Sequence, residues 1–287
     1  MNRTNEAAVK IKDALHLTLN IQAVKLIEDP SEVPANALRA RERFGHLSLC
    51  QAFALVKRDG LTVYTDKSSE WCWAPVVALG YADCSPGTES YEIIKPLMGI
   101  PDPEKAERFF TEFPRLPLGK YQGVLLAPAD QADFEADVLL INCDNNYEMR
   151  TLLSAVKLRN GKMLDVRLDP IDSCVHTLVT SFLKKDYTVA IPDPGEQERA
   201  LTGKNEIIMA VPAEKLEDLM AGFSSPWIRY DPDPELPAEM EYDFPRPPFY
   251  NKVFSLWGME EGREWHLTRH GGERVSGPID MIGLLWR

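Results

Sequence analysis

The sequence predicts an α/β fold in which strand–helix units occur twice, with a mixed α+β arrangement as the alternative. Apolar runs of strand length alternate with stretches of helical period, the pattern of layered α/β domains. Two stretches also share a plan. Val56–Pro128 holds VKRDG, SSEWCW around Cys72 and GKYQGVLLAP; Val156–Pro212 holds VKLRNG, IDSCVH around Cys174 and GKNEIIMAVP. Twelve residues separate Gly60 from Cys72 and thirteen separate Gly161 from Cys174, while nine separate Gly119 from Pro128 and Gly203 from Pro212. A repeated supersecondary plan predicts half-units at 20–135 and 136–223, packed pseudo-symmetrically in one domain over 1–223, with a Pro- and aromatic-rich C-terminal arm over 224–287.

The elements follow in order. Ala7, Ala8, Ile11, Leu15 and Leu19 recur at helical spacing and predict a helix over 6–19. IQAVKLIED predicts a strand ending at Pro30, and 29–46, with its prolines and charges, a long solvated connection. Leu47–Arg58 predicts a helix capped by Ser48 and stopped by Gly60. Leu61–Thr65 predicts a short strand and Pro75 a helix start, because proline suits a first turn. Ser85–Pro117 predicts two short helices between prolines. Gly123–Ala127 and Asp137–Cys143 predict strands, the second buried on both faces because its apolar run is nearly unbroken. Then come a helix over Asn145–Arg159, a strand over Lys162–Leu168, a helix over Ser173–Lys184 capped by Asp172, a strand over Glu206–Val211, and a helix from Pro212 to Met220. The prolines after Phe223 forbid regular strand pairing and predict an extended arm, which either wraps its own body or joins two copies in a homo-oligomer.

Composition excludes several classes. A net charge of −12 lacks the basic face that nucleic acid or an anionic membrane surface requires. No apolar run nears the roughly 20 residues of a membrane span, and the charged start is no signal peptide, so a cytoplasmic protein is expected. Five cysteines in a chain of 287 residues argue against a disulfide framework.

Chemistry is expected at the cysteines. Cys72 and Cys174 fall at or just before a helix start, where unpaired N–H groups and the helix dipole favour the thiolate. Cys50 lies on the preceding helix and joins them as a metal-ligand candidate. The bland alternative is three small buried hydrophobes, since no CxxC spacing is present. Trp71 and Trp73 flank Cys72 as walls for a planar ligand or as plain core. Arg199, in DPGEQER, would hold an anionic ligand or pair on the surface. At helical spacing His176 points away from Cys174. His266 and His270 are four apart, as ligands on one helix face would be, although Gly271 and Gly272 favour a polar surface instead. Gly119–Lys120 and Gly203–Lys204 precede strands and are not phosphate loops; no GxSxG, HExxH or Rossmann fingerprint occurs.

AVKLI (Ala23–Ile27), LSLCQAF (Leu47–Phe53), CWAPVVALG (Cys72–Gly80), GVLLAP (Gly123–Pro128), ADVLLI (Ala136–Ile141), the segment around Cys174 and IIMAVPAEKLEDL (Ile207–Leu219) occur in the order of one prokaryotic family. From about residue 15 to 222 the chain resembles domain of unknown function 169. The resemblance implies motif positions at Cys50, Cys72 and Cys174 but not at Cys84 or Cys143, and no particular reaction. It also implies a more glycine-rich stretch with a further cysteine near Gly195, where this chain reads PDPGEQER, which weakens a four-cysteine ligand set.

Three functions are therefore expected in competition. The first is a small-molecule or cofactor-binding protein holding a transition metal or iron–sulfur cluster at Cys50, Cys72 and Cys174. The second is an enzyme with a nucleophilic thiolate, Cys72 or Cys174. The third is a non-catalytic sensor or assembly subunit.

Overall fold

Apolar residues alternate along the strands so that neighbours in sequence bury on opposite sides of one mixed, seven-stranded sheet, in a computed structural model that describes residues 2–228 and 248–258. The elements of the first part are α1 (Arg3–Leu15), β1 (Gln22–Ile27), β2 (Leu38–Arg39), α2 (Ala40–Phe44), α3 (Leu49–Asp59), β3 (Val63–Asp66), α4 (Trp73–Ala78), α5 (Glu89–Ile94), α6 (Pro103–Glu112) and β4 (Gly123–Pro128). Then follow β5 (Val138–Cys143), α7 (Asn146–Asn160), α8 (Ser173–Lys184), β6 (Thr188–Ala190), α9 (Pro194–Arg199), β7 (Ile207–Pro212) and α10 (Leu216–Phe223). By its contacts the chain divides into two units, Met1–Tyr230 and Asp231–Arg287. The first holds the sheet; the described part of the second includes a helix, α11 (Pro248–Leu256), with Phe254 and Trp257 ring to edge. Most of the proline-rich arm, with His266 and His270, lies outside the described residues.

The sheet order is β2-β3-β4-β1-β5-β7-β6. Apart from β2, which runs parallel to β3, every neighbouring pair is antiparallel. Without β2 the order has the same plan on either side of the β1–β5 seam. The pairings match too. Gln22↔Pro128 on one side corresponds to Val138↔Pro212 on the other, and Val63↔Leu126 to Thr188↔Ala210. At the seam Gln22↔Leu140 and Val24↔Val138 flank Ala23↔Leu139. β4 and β5 are buried along their whole length, as expected for central strands covered on both faces.

On one face Val24, Leu26, Leu126, Leu140 and Ile208 pack with the buried sides of α3, α4 and α8. On the other Ala23, Leu139, Ile141 and Met209 pack with those of α1, α7 and α10. Ser48 and Gln51 form a reciprocal cap on α3, and Gly60 ends it at φ +68°. Asn145 caps α7.

Several sequence-based expectations are corrected. The matched glycine-to-cysteine spacing aligns α3 with α7, but these helices cover opposite faces of the sheet. Chain order and face instead align α3 with α8: each precedes an outer strand and ends on a residue of left-handed φ, Gly60 or Lys185. Lys162–Leu168 is not a strand. It carries the chain from α7 on one face to α8 on the other, with Met163 90% exposed, and pairs with no strand. The turn DPGEQER winds into α9, capped by Asp193, and the short strands β2 and β6 were not foreseen. Among the described residues no helix is long and apolar enough to cross a membrane.

Candidate functional site

The sheet face under α3, α4 and α8 gathers the three cysteines singled out above. Cys50 is the second residue of α3, Cys174 the second residue of α8, and Cys72 the residue that precedes α4. All five cysteines are free thiols. Cys84 belongs to the same apolar cluster, near Tyr91, and Cys143 to the opposite face. Each of Cys50 and Cys174 lies in the field of the other members of the trio: a charge on Cys72 opposes ionisation of both, and a charge on Cys50 opposes that of Cys174. Among the described residues, no three His, Cys, Asp or Glu side chains surround one point in metal-holding geometry.

The expectation of thiolates is reversed. Burial pushes the Cys50 thiol up to about 12, against a hydrogen bond with Ser48 Oγ at 3.0 Å. It also raises Cys72, despite a backbone N–H from Ala74, and raises the fully enclosed Cys174 well above the ordinary thiol range. Desolvation outweighs the helix ends here because the sulfurs sit inside apolar packing rather than on the surface.

Carboxyl groups that sequence reasoning did not single out surround the thiols. Glu70 Oε1 accepts the N–H groups of Trp71 at 3.0 Å and Cys72 at 2.9 Å, while its Oε2 is buried without a partner. Asp172 takes φ +58° at the start of α8, and its Oδ2 is likewise buried and unpartnered. Non-glycine residues at such φ concentrate at functional sites. Burial, first of all causes, raises both carboxyls to about 7. The clue was present in the sequence: Glu70-Trp-Cys72 and Asp172-Ser-Cys174 each place an acid two residues before a cysteine.

Glu196, 2% exposed, completes the ring of acids, and burial raises it to about 7 as well. Its Oε2 lies 2.6 Å from Ser173 Oγ, which lies 2.9 Å from Asp193 Oδ2. The hydroxyl has one proton and two carboxyls beside it. Ser173 Oγ is placed to donate to Glu196 Oε2 or to Asp193 Oδ2 and accepts the Asp193 backbone N–H at 3.1 Å, and its bond to Glu196 offsets only part of the upward push of burial. Below pH 4.5 this carboxyl is protonated in folded and unfolded chains alike. Between 4.5 and about 7 the unfolded chain gives up the proton that the folded chain keeps, so stability falls across that window. Glu196→Gln is expected to flatten the slope, gaining on the order of 3 kcal/mol at pH 8 relative to pH 4 by the linkage relation. Urea unfolding of both proteins at the two pH values checks this; parallel profiles refute it.

Trp71 stands at the rim, 50% exposed, with the Arg199 guanidinium 4.9 Å above its ring and its Nε1–H donating to Gln51 Oε1 at 3.3 Å. Trp73 turns inward and stacks on Phe113 at 5.7 Å. His176, two residues after Cys174, meets Phe113 edge to face with ring centroids 6.0 Å apart, and its Nε2 is buried and unpartnered. The structure thus draws Trp71 and Arg199 together and assigns Trp73 to the packing below.

These features lie within the span of a family model, described as Uncharacterised ArCR, that matches residues 10–222. The chain belongs to the domain of unknown function 169 family. An uncharacterized protein of Methanocaldococcus jannaschii is similar to it, 22% identical over 222 residues, covering 77% of this chain and 93% of its own length. No solved structure matches. The family span ends within α10, so every residue of the thiol cluster falls inside it.

Proposed function

We propose that this domain of unknown function 169 protein binds a cofactor, with Cys50, Cys72 and Cys174 as sulfur donors to a soft metal ion or a small iron–sulfur cluster in a redox or cofactor-carrying role. The observation that carries the reading is the company the thiols keep. Two carboxyl oxygens beside them, Glu70 Oε2 and Asp172 Oδ2, are buried with no hydrogen-bond partner, a rare and costly state in a finished core. A cation there would turn both oxygens and the thiols from burdens into ligands or second-sphere acceptors, and would reverse the upward push on every thiol. Ligation requires the thiols to move from their present arrangement, in which no three candidate ligands among the described residues are placed to hold a metal ion. Cys72, the least buried of the three, offers the way in.

We read the matching strand orders around the β1–β5 seam as an internal duplication, which would relate Cys50 to Cys174 and Cys72 to Asp193. The site then belongs to both halves.

Anaerobic purification, followed by reconstitution with iron and sulfide or with Zn²⁺, tests the proposal. About one equivalent of metal or cluster is expected, with a thiolate-to-metal charge-transfer band for iron. Cys50→Ser and Cys174→Ser should each lower occupancy by about tenfold or more, in line with the loss of a ligand. Equal metal content in the wild type and in Cys72→Ser, or rapid alkylation of Cys72 alone in metal-free protein, refutes it; the alkylation result would favour a nucleophilic enzyme.

A further inference from the structure

A groove of about 890 Å³ is lined by residues of α6, the segment Arg167–Asp169 and α8, His176 among them. Its size is that of a drug-sized ligand site. Phe109, Phe113, Leu168 and Leu183 line it with apolar surface. Four cations border it, against two acids, Glu112 and Asp169. Two of the cations are already paired: Arg167 with Glu112 at 2.8 Å, and Lys105 with Asp102 at 3.8 Å. Asp169 Oδ1 accepts the N–H of Ile171. Arg108 and Lys184 have no ion pair or hydrogen bond through their side chains among the described residues. His176 is among the lining residues, and its Nε2 is buried without a hydrogen-bond partner.

We propose that this groove binds a small organic anion with a flat apolar body, an aryl or acyl carboxylate, its body against Phe109 and Phe113, its charge toward Arg108 and Lys184, and a polar group within reach of His176. The balance of unpaired groups selects that class. A cation would meet two unpaired positive charges, and a purely apolar molecule would leave both cations and the ring nitrogen unsatisfied. The inference is independent of metal binding at the thiols, since none of Cys50, Cys72 and Cys174 lines the groove.

Fluorescence titration of the full chain with anilinonaphthalene sulfonate, an aryl anion, and with its uncharged counterpart N-phenylnaphthylamine tests it. Saturable binding of the anion at one site, displaced by 2-naphthoate, is expected. Arg108→Gln combined with Lys184→Gln alters exposed side chains and leaves the melting temperature unchanged. It should weaken the anion by about fivefold or more and the neutral probe by less than about twofold, since exposed charge pairs contribute modestly. His176→Leu should weaken 2-naphthoate without changing the melting temperature by more than a few degrees. Absence of saturable binding, failure of naphthoate to compete, or equal loss for both probes in the double variant overturns the proposal.

Discussion

Lys57→Ala is expected to destabilise the protein by about 3–5 kcal/mol, the range for breaking one side of a buried ion pair. Lys57 projects from α3 with only 2% of its surface exposed, and its Nζ lies 2.6 Å from Glu206 Oε2 and 3.0 Å from Thr202 Oγ1. Glu206 Oε2 also accepts from Asn142 Nδ2 at 3.0 Å, and Asn142 Oδ1 accepts from Gln22 Nε2 at 2.9 Å. The chain of bonds runs from α3 through the segment before β7 to β5 and β1, so it fastens one half of the sheet to the other. Removal of the ammonium leaves a carboxylate in an apolar interior with two weak donors. Lys57→Met with Glu206→Leu removes both charges and is expected to recover most of the loss. Denaturant unfolding of the three proteins decides the matter. A single variant within about 1 kcal/mol of the parent would mean that water reaches the pair.

Gly222→Ala is expected to cost about 3 kcal/mol, at the upper end for overpacking. Helix α10 crosses α7 at this glycine, and an added Cβ would fall far inside van der Waals contact distance of the Ala155 carbonyl oxygen. The obstacle is backbone, so no rotamer change relieves it and the helices must part. Ala155→Gly, which removes a side chain only, should therefore fail to rescue the variant. Melting temperatures test this: a fall of no more than a few degrees for Gly222→Ala, or rescue by Ala155→Gly, would place the helices farther apart than the geometry indicates.

Much of the fold is legible because its signals are local. Ser48 with Gln51, Asn145 and Gly60 mark helix ends by hydrogen bonds within one turn, the apolar run of β4 betrays a strand, and that of β5 a strand covered on both faces. Pro194 and Asp193 are also local signals for a helix, yet the glycine beside them reads as a turn. What fails is nonlocal. Lys162–Leu168 has strand-like alternation, but whether a strand forms depends on a free edge, which the sequence does not display. The shared plan of the two stretches is visible, but the alignment it suggests is not that of the strand order, because α3 and α7 share a glycine stop while covering different faces. At the candidate site the cysteines were found, since their residue type is distinctive. Glu70 draws no notice, Asp172 reads only as a helix cap although its side chain makes no capping hydrogen bond, and Glu196 reads as part of a surface turn, because acids are usually solvated and only their burial makes these three unusual.

The β1–β5 seam has a consequence for how any occupant would lie. Cys50 and Cys174 hold corresponding helix positions on the two sides, but Cys72 faces Asp193 in the matching scheme. Matching positions with unlike corners would give a guest only one way round. Neither fragment alone should retain such a guest, and two fragments severed between β4 and β5 would have to reassemble before it could be held.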